Sequence, residues 1–458
     1  MRLIICGAGQ VGYNIAAYLT REDNDITVID REPQLIGRIN NELDVNGIVG
    51  HASDPEILAQ AGARECDMII AVTYSDEVNM IACQIAHSLF NVPKKIARIR
   101  RQTYLDPAWS NLFSRAHMPI DVIISPEIEV ARAIDQRLHI PGTTNVISLA
   151  GGKLYLVGVL CYQSCPIVNT QMKQLGGLFP DLDLCVAAVL RGGKMFVPGS
   201  NDQIIAGDEV FMFVDARHLK RSLAVFGHEE KEARNIVILG GGSIGFYLAE
   251  LLNKNYNDLR IKLIEQNPER ARQLSEKLPG TIVLNGDGLN QDVLREANID
   301  SAETLIALTN DDETNILGSL LAKQHGCQRV ITLVNKQAYG TLLTSLGIDA
   351  VVSPRSSTVS QVMRHVRRGR IKDLHTIRDG IAEIIEAEVS DTAFISNKSI
   401  GSLDTPPGVV IGPIIRQDKI IIPTPECIVR AGDHVLMFVM QGQGRKVEKM
   451  FTVQVDLF

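Results

Sequence analysis

The sequence predicts an α/β protein built as a tandem duplication, in which a parallel, doubly wound sheet followed by a small α+β module occurs twice. Three observations carry that expectation. A glycine-rich turn, Gly7-Ala8-Gly9-Gln10-Val11-Gly12, directly follows a short apolar strand at Leu3 to Cys6, and Gly240-Gly241-Gly242-Ser243-Ile244-Gly245 follows another at Ile236 to Leu239. A second strand in each half ends on an acid: Ile26 to Ile29 on Asp30, and Ile261 to Ile264 on Glu265. Longer echoes recur in the same order, Gly50 to Leu58 with Gly286 to Leu294 and Ala71 to Asn79 with Ala307 to Asn315. The register between halves drifts by only about three residues, as loop insertions would produce.

Taken in order, apolar runs at Leu3 to Cys6, Ile26 to Ile29, Gly47 to Val49, Met68 to Val72, Ile96 to Ile99 and Val122 to Ile124 alternate with helical stretches. Six strands with crossover helices make a complete parallel sheet, a Rossmann-like domain. A helix from about Glu127 to Leu138 trails it, and Pro141-Gly142 marks a linker. The first domain is therefore expected over 1–138.

From 139 to 227 the grammar changes to a small α+β module, with strands at Lys153 to Val159, Cys185 to Leu190, Met195 to Pro198 and Glu209 to Val214. Its turns fall at Gly192-Gly193 and Ala206-Gly207-Asp208. A second Rossmann-like domain with its own trailing helix is expected over 232–367, and a second small module over 368–455. That last module repeats the pattern through Val409 to Ile415, Gln417-Asp418, Ile420 to Pro423, Ala431-Gly432-Asp433 and Val435 to Val439. Between the last two, Arg364, His365, Arg367, Arg368, Arg370 and Lys372 form a basic stretch that reads as a solvated helix end.

Composition bounds the chemistry. The 458 residues are 45% hydrophobic, ample for several cores, and the net charge of -7 argues against nucleic acid as a main partner. No apolar run approaches the roughly eighteen residues of a bilayer span, and the start of the chain enters a strand without the pattern of a signal peptide. A cytoplasmic protein is expected. The eight cysteines are scattered, and the one close pair, Cys161 and Cys165, lacks a second pair to complete a zinc tetrahedron. They read as reduced, structural thiols, and no metal site is expected.

In the glycine turn the first glycine permits a tight bend, the second lets the backbone approach a pyrophosphate, and the third allows the following helix to pack closely. That helix directs its N-terminal amides at the phosphates. Asp30 and Glu265 can accept hydrogen bonds from ribose hydroxyls. Arg98 and Arg100 alternate along the fifth strand, where they could meet phosphates; Leu333 and Asn335 stand at those positions in the second half.

Gly7 to Gly12, Asp30, Gly50 to Asp54, Thr73 to Asn79 and Ala97 to Arg100, with their second-half partners, resemble the RCK (KTN) family of potassium-transport regulators. The resemblance spans nearly the whole chain. It implies N-domains that bind NAD(H) or adenine nucleotides such as ATP and ADP, C-domains of the RCK type, and a homo-oligomer, a tetramer in the family, that gates a membrane potassium-translocating subunit from the inner face of the membrane. It adds His51, Ala52, Thr73 and Tyr74 to the first candidate site, and Asp287 and Thr309 to the second. The family pattern often has Gly-Asp-Ala after the third strand; Gly286-Asp287-Gly288 approximates it, whereas the first half has His51.

The alternative is a nicotinamide-dependent dehydrogenase. Such an enzyme must set an acid or base beside the nicotinamide. The intervening modules are short and duplicated, and His51, the nearest candidate base, falls on the adenosine side of a dinucleotide fold. A non-catalytic protein is expected.

Overall fold

The computed structural model describes residues 1–452 except 23, 180–181, 183, 337–338, 340–341, 344–345 and 367–370. The chain forms two compact units: one holds Met1–Pro126, Arg355–Ser396 and the chain from Val439, the other Glu127–Pro354 and Asn397–Phe438.

The first unit opens with β1 (Arg2–Cys6), α1 (Gln10–Thr20), β2 (Asp25–Asp30), α2 (Pro33–Glu42), β3 (Asn46–Val49), α3 (Pro55–Gln60), β4 (Met68–Ala71), α4 (Asp76–Phe90), β5 (Lys94–Arg98) and β6 (Val122–Ile124). The sheet runs β3-β2-β1-β4-β5-β6, parallel throughout, the order of a doubly wound fold. Central β1 and β4 are apolar on both faces because helices cover both. Ser75 caps α4 by accepting from the Val78 amide at 3.3 Å.

The second unit begins with α5 (Pro126–His139) and then β7 (Thr143–Leu149), β8 (Leu154–Leu160), α6 (Met172–Leu178), β9 (Cys185–Arg191), β10 (Lys194–Phe196), β11 (Glu209–Asp215) and α7 (Leu219–Val225). Its first sheet runs β10-β9-β11-β8-β7 and is antiparallel. There follow β12 (Asn235–Leu239), α8 (Ser243–Asn255), β13 (Arg260–Glu265), α9 (Pro268–Lys277), β14 (Thr281–Asn285), α10 (Gln291–Glu296), β15 (Thr304–Ala307), α11 (Asp312–Gln324), β16 (Arg329–Leu333) and β17 (Ala350–Val352). These repeat the parallel order as β14-β13-β12-β15-β16-β17.

The remaining elements are α12 (Pro354–Val366), β18 (Ile371–Ile377), β19 (Ala382–Glu388), β20 (Val409–Arg416), β21 (Lys419–Ile421), β22 (His434–Met440) and α13 (Gly444–Phe451). The pairs β18 with β19 and β20 with β21 are antiparallel. The small modules thus contain strands beyond those expected, namely β7, β18 and β19. Of the basic stretch, Arg364 pairs with Asp373 at 2.9 Å and Lys372 with Glu388 at 3.0 Å, while Arg367, Arg368 and Arg370 lie outside the described residues.

The trailing helices do not follow sequence order. Val130, Ala131, Ile134 and Leu138 of α5 are buried in one core with Ile236, Ile238, Leu248 and Ile306 of the second parallel domain. Helix α5 therefore completes that domain rather than the one that precedes it. A cation at the first residue of the fifth strand of each parallel sheet caps a trailing helix. Arg329 donates to the carbonyls of Arg137 at 2.9 Å and Thr143 at 3.2 Å; within the first unit, Lys94 donates to the carbonyl of His365 at 2.6 Å. Both cations meet the negative end of a helix dipole. No helix among the described residues is long and apolar enough to cross a membrane.

Candidate functional site

Each glycine turn has the geometry its three positions require. Gly7 takes φ +110° against Thr73, and Gly240 takes φ +105° against Leu308 and Thr309. A Cβ on Gly12 would lie 1.7 Å from the Gly7 carbonyl oxygen, and on Gly245 2.0 Å from that of Gly240, so both helices press against the turn that precedes them. At Gly9 and Gly242 a Cβ would meet nothing within 4 Å. The middle glycines therefore face open space at the N-termini of α1 and α8, where backbone amides can receive an anion. Gln10 and Ser243 are exposed beside them, Val11 and Ile244 are half-buried, and Ala8 is buried.

The acids at the strand ends turn toward these loops. One oxygen of Asp30 accepts from the Ala8 amide at 2.6 Å and the other from the Glu32 amide at 2.9 Å. Glu265 does the same with the amides of Gly241 and Asn267, both at 2.8 Å. The loops differ in sequence for a packing reason: a Cβ on Gly241 would stand 2.2 Å from Leu274 and 2.9 Å from the Glu265 carboxylate, whereas Ala8 is accommodated beside Asp30.

Past the third strand, His51 is exposed and its Nδ1 meets the Ser53 hydroxyl at 2.8 Å, while Ala52 is buried in the apolar core. Asp287 is exposed and accepts from the Leu289 amide at 3.0 Å. Ala52 therefore lies in the core beneath the loop, and His51 and Asp287 stand at the surface.

Past the fourth strand, two buried side chains absent from the sequence-based set hold the loop. Asn79 accepts from the amide and hydroxyl of Thr73 at 2.8 and 2.7 Å and donates to the carbonyls of Thr73 and Arg98 at 3.3 and 2.9 Å. Asn315 repeats the pattern with Thr309 and Leu333. Asp76 accepts from the amides of Arg100 and Arg101, and Asp312 from those of Asn335 and Lys336. The threonine, the acid and the asparagine three residues beyond it recur in both halves, and this repeat was the available signal. Tyr74 is exposed, and the Arg100 guanidinium lies 5.2 Å from its ring centre. Arg98 donates to the Thr73 carbonyl at 2.9 Å, which brings a cation to the first loop cluster.

The second cluster has no cation at the position of Arg98, since Leu333 is buried there. It carries a different one. Arg270 of α9 donates to the Gly241 carbonyl at 2.9 Å and lies 5.7 Å from the Phe246 ring centre. At its rim, Lys336 at 2.6 Å and Tyr339 at 2.6 Å hold the Glu313 carboxyl down to about 2. Among the described residues, no group of three or more histidine, cysteine or acidic side chains is placed to hold a metal.

Comparison with known proteins agrees with this architecture. The TrkA-N domain model matches residues 3–126 and 236–354, and the TrkA-C domain model matches 384–452. Trk system potassium uptake protein TrkA of Azorhizobium caulinodans is 47% identical over 458 residues, covering 100% of both chains. Its namesake from Halomonas elongata is 40% identical over 462 residues, again covering 100% of both. Among solved structures, the GsuK RCK domain superposes with a TM-score of 0.60 at 19% identity, covering 98% of this chain and 94% of that one. The GsuK channel bound to NAD gives 0.59 at 20% identity, covering 98% and 78%. These likenesses show the RCK fold. The sequence relatives are named as potassium uptake proteins and not as enzymes, which favours the non-catalytic expectation over the dehydrogenase. The chain belongs to the TrkA family of Trk-system potassium uptake proteins.

Proposed function

We propose that the chain is a nucleotide-responsive regulatory subunit that gates a TrkH-like, potassium-translocating membrane partner. One observation carries the reading: each half holds an open glycine position beside a strand-end carboxylate that the loop amides fix in place. A dinucleotide or adenine nucleotide laid along either loop meets helix-terminal amides at its phosphates and the carboxylate at its ribose. NAD(H) is the first ligand, with ATP and ADP sharing the same elements. The GsuK channel, of the same fold, has been solved with NAD bound, which supports a dinucleotide.

In this reading Gly7 to Gly12 with Asp30, Arg98 and Arg100 hold ligand in the first half, and Gly240 to Gly245 with Glu265 in the second. The protein works as a homo-oligomer, a tetramer, peripheral on the inner face of the membrane. Nucleotide can bias the partner only through unequal affinity for two arrangements of the oligomer.

The test is potassium flux in liposomes containing the partner, with and without this protein and with NADH, NAD, ATP or ADP. Flux should change with nucleotide, and Gly9→Val should blunt the response while the complex still forms. Constant flux, together with oxidation of NADH by the purified protein in the presence of a small metabolite, would replace this reading with a dehydrogenase.

A further inference from the structure

The chain leaving the first small module reaches β12 through residues 229–233, which form neither helix nor strand. Among the described residues, no backbone hydrogen bond involves any of them. Side chains therefore hold this strap in place. His228 is buried at its start, with Nε2 against the Leu160 carbonyl and Nδ1 against Glu230, both at 2.9 Å. The strap then passes Gly142, where a Cβ would stand 2.6 Å from the Glu230 carboxylate. Glu232 follows, and it reaches His139, the last residue of α5, at 3.3 Å.

His139 stands between two acids. Its Nδ1 faces Glu232 from the strap, and its Nε2 lies 3.4 Å from Asp135 Oδ1, one turn back on α5. That Nε2 and that Oδ1 are both shut off from water. The Tyr256 ring, from the turn after α8, stacks on the imidazole with ring centres 4.3 Å apart. Its hydroxyl is pushed up to about 12, by burial and then by the charge of Asp135, and so stays neutral. Farther out, exposed Lys220 of α7 meets Glu232 at 3.4 Å, and Arg329 of β16 donates to the Arg137 carbonyl at the same helix end.

A neutral imidazole has one N–H and one lone pair. In either tautomer the lone pair would face a carboxylate, that of Asp135 when Nδ1 carries the proton and that of Glu232 when Nε2 does. Only the imidazolium gives a proton to both. Its charge also lies at the negative end of the α5 dipole. In agreement, Asp135 and after it Glu232 hold the proton against the pull of burial, so that His139 titrates above the usual histidine range.

We propose that His139 is a pH-responsive clasp, which fastens the strap to α5 while it is protonated and releases the strap when it is neutral. The sign follows from its partners. Because folding strengthens the hold of His139 on its proton, the clasp is complete at and below the ordinary histidine range and is lost as pH rises through the folded value. Loss of the proton sets a lone pair against an acid, so Glu232 leaves the ring and the strap goes with it. The strap joins the first small module to the domain that carries the second glycine loop, and the clasp makes that joint sensitive to pH.

Two readouts on the full-length protein test this, from about pH 5.5 to 9. Exchange of the imidazole C2 hydrogen, followed by mass spectrometry, gives the midpoint of each histidine, and that of His139 should lie above the roughly 6.5 of a free imidazole. Trypsin cleavage after Lys231, exposed in the strap, reports release when counted against a free peptide of the same sequence at the same pH. Relative cleavage should rise roughly threefold to tenfold as pH passes the His139 midpoint, the worth of one partly exposed charge pair at a helix end. His139→Gln should keep its circular dichroism and cleave at one relative rate across the range. Glu232→Gln, counted against its own peptide, should cleave fast throughout and lower the His139 midpoint. A His139 midpoint at or below about 6.5, relative cleavage that ignores pH, or a pH response that survives in His139→Gln would each overturn the proposal.

Discussion

At the residue scale, two glycines of one loop separate folding from binding. A methyl group on Gly12 lands 1.7 Å from a backbone oxygen that cannot swing away, so Gly12→Ala should cost about 1–3 kcal/mol of stability, read as a lower denaturation midpoint. Gly9 has open space where its side chain would be, so Gly9→Val should leave that midpoint within about 0.5 kcal/mol and remove nucleotide from the first half. A Gly9→Val protein that still binds two equivalents of ligand would refute the two-site reading. Asp30→Ala removes the carboxylate proposed to meet the ribose and should weaken NADH by about tenfold or more in calorimetry, the worth of one charge-assisted hydrogen bond. Unchanged affinity would take Asp30 out of the site. Glycine spacing and strand-end acids were legible in the sequence because local backbone geometry dictates them. Asn79 and Asp76 were marked only by their recurrence as Asn315 and Asp312, and their role was hidden because their partners Arg98 and Arg100 lie 19 and 24 residues away.

At the scale of elements, the small modules share a clamp. Arg191 of β9 grips buried Asp208 through two bonds of 2.7 Å, and Arg416 of β20 grips buried Asp433 at 2.7 and 2.8 Å. Each arginine also holds a carbonyl of the opposite turn, Gln203 or Ile428, at 2.7 Å. Removing Arg416 leaves a buried carboxylate with less support, so Arg416→Ala should destabilise by roughly 2–4 kcal/mol in chemical denaturation, and lysine should restore only part of that. A loss below about 0.5 kcal/mol would show the clamp to be incidental. Sequence reading failed at β18 and β19. The run Ala-Glu-Ile-Ile-Glu-Ala-Glu of β19 is rich in good helix formers, yet pairing with β18 makes it a strand. Burial of its Glu383, and secondarily the charge of Glu448, pushes that carboxyl up to about 8. Because the folded value exceeds the unfolded one, stability from this group is full below about pH 4.5 and falls as pH rises toward 8, by at most about 1.4 kcal/mol per unit. Glu383→Gln should flatten that slope in denaturation curves taken between pH 5 and 8; an unaltered slope would place the titration elsewhere.

At the scale of the whole molecule, the duplication was legible and its packing was not. The stripe Val130, Ala131, Ile134 and Leu138 announces a buried helix face, but any apolar sheet could have received it, and the structure assigns it to the second parallel domain. The halves then diverge where charge matters. The first has Arg98 on the Thr73 carbonyl and Arg100 against Tyr74; the second has buried Leu333 in place of Arg98, and Arg270 on its own glycine loop. If both loops hold nucleotide as proposed, one backbone with different cations should give them different tastes for phosphate. ATP should titrate as two unequal classes, the tighter lost in Gly9→Val and the weaker in Gly242→Val. A charge-assisted contact is worth about 1.5–3 kcal/mol, so a separation of roughly tenfold to a hundredfold is expected. Arg98→Ala should draw the two classes together for ATP while leaving adenosine nearly unchanged, because adenosine offers no phosphate to the guanidinium. Equal losses for the two ligands would make Arg98 a brace for the Thr73 loop, and the asymmetry between the halves would then need another cause.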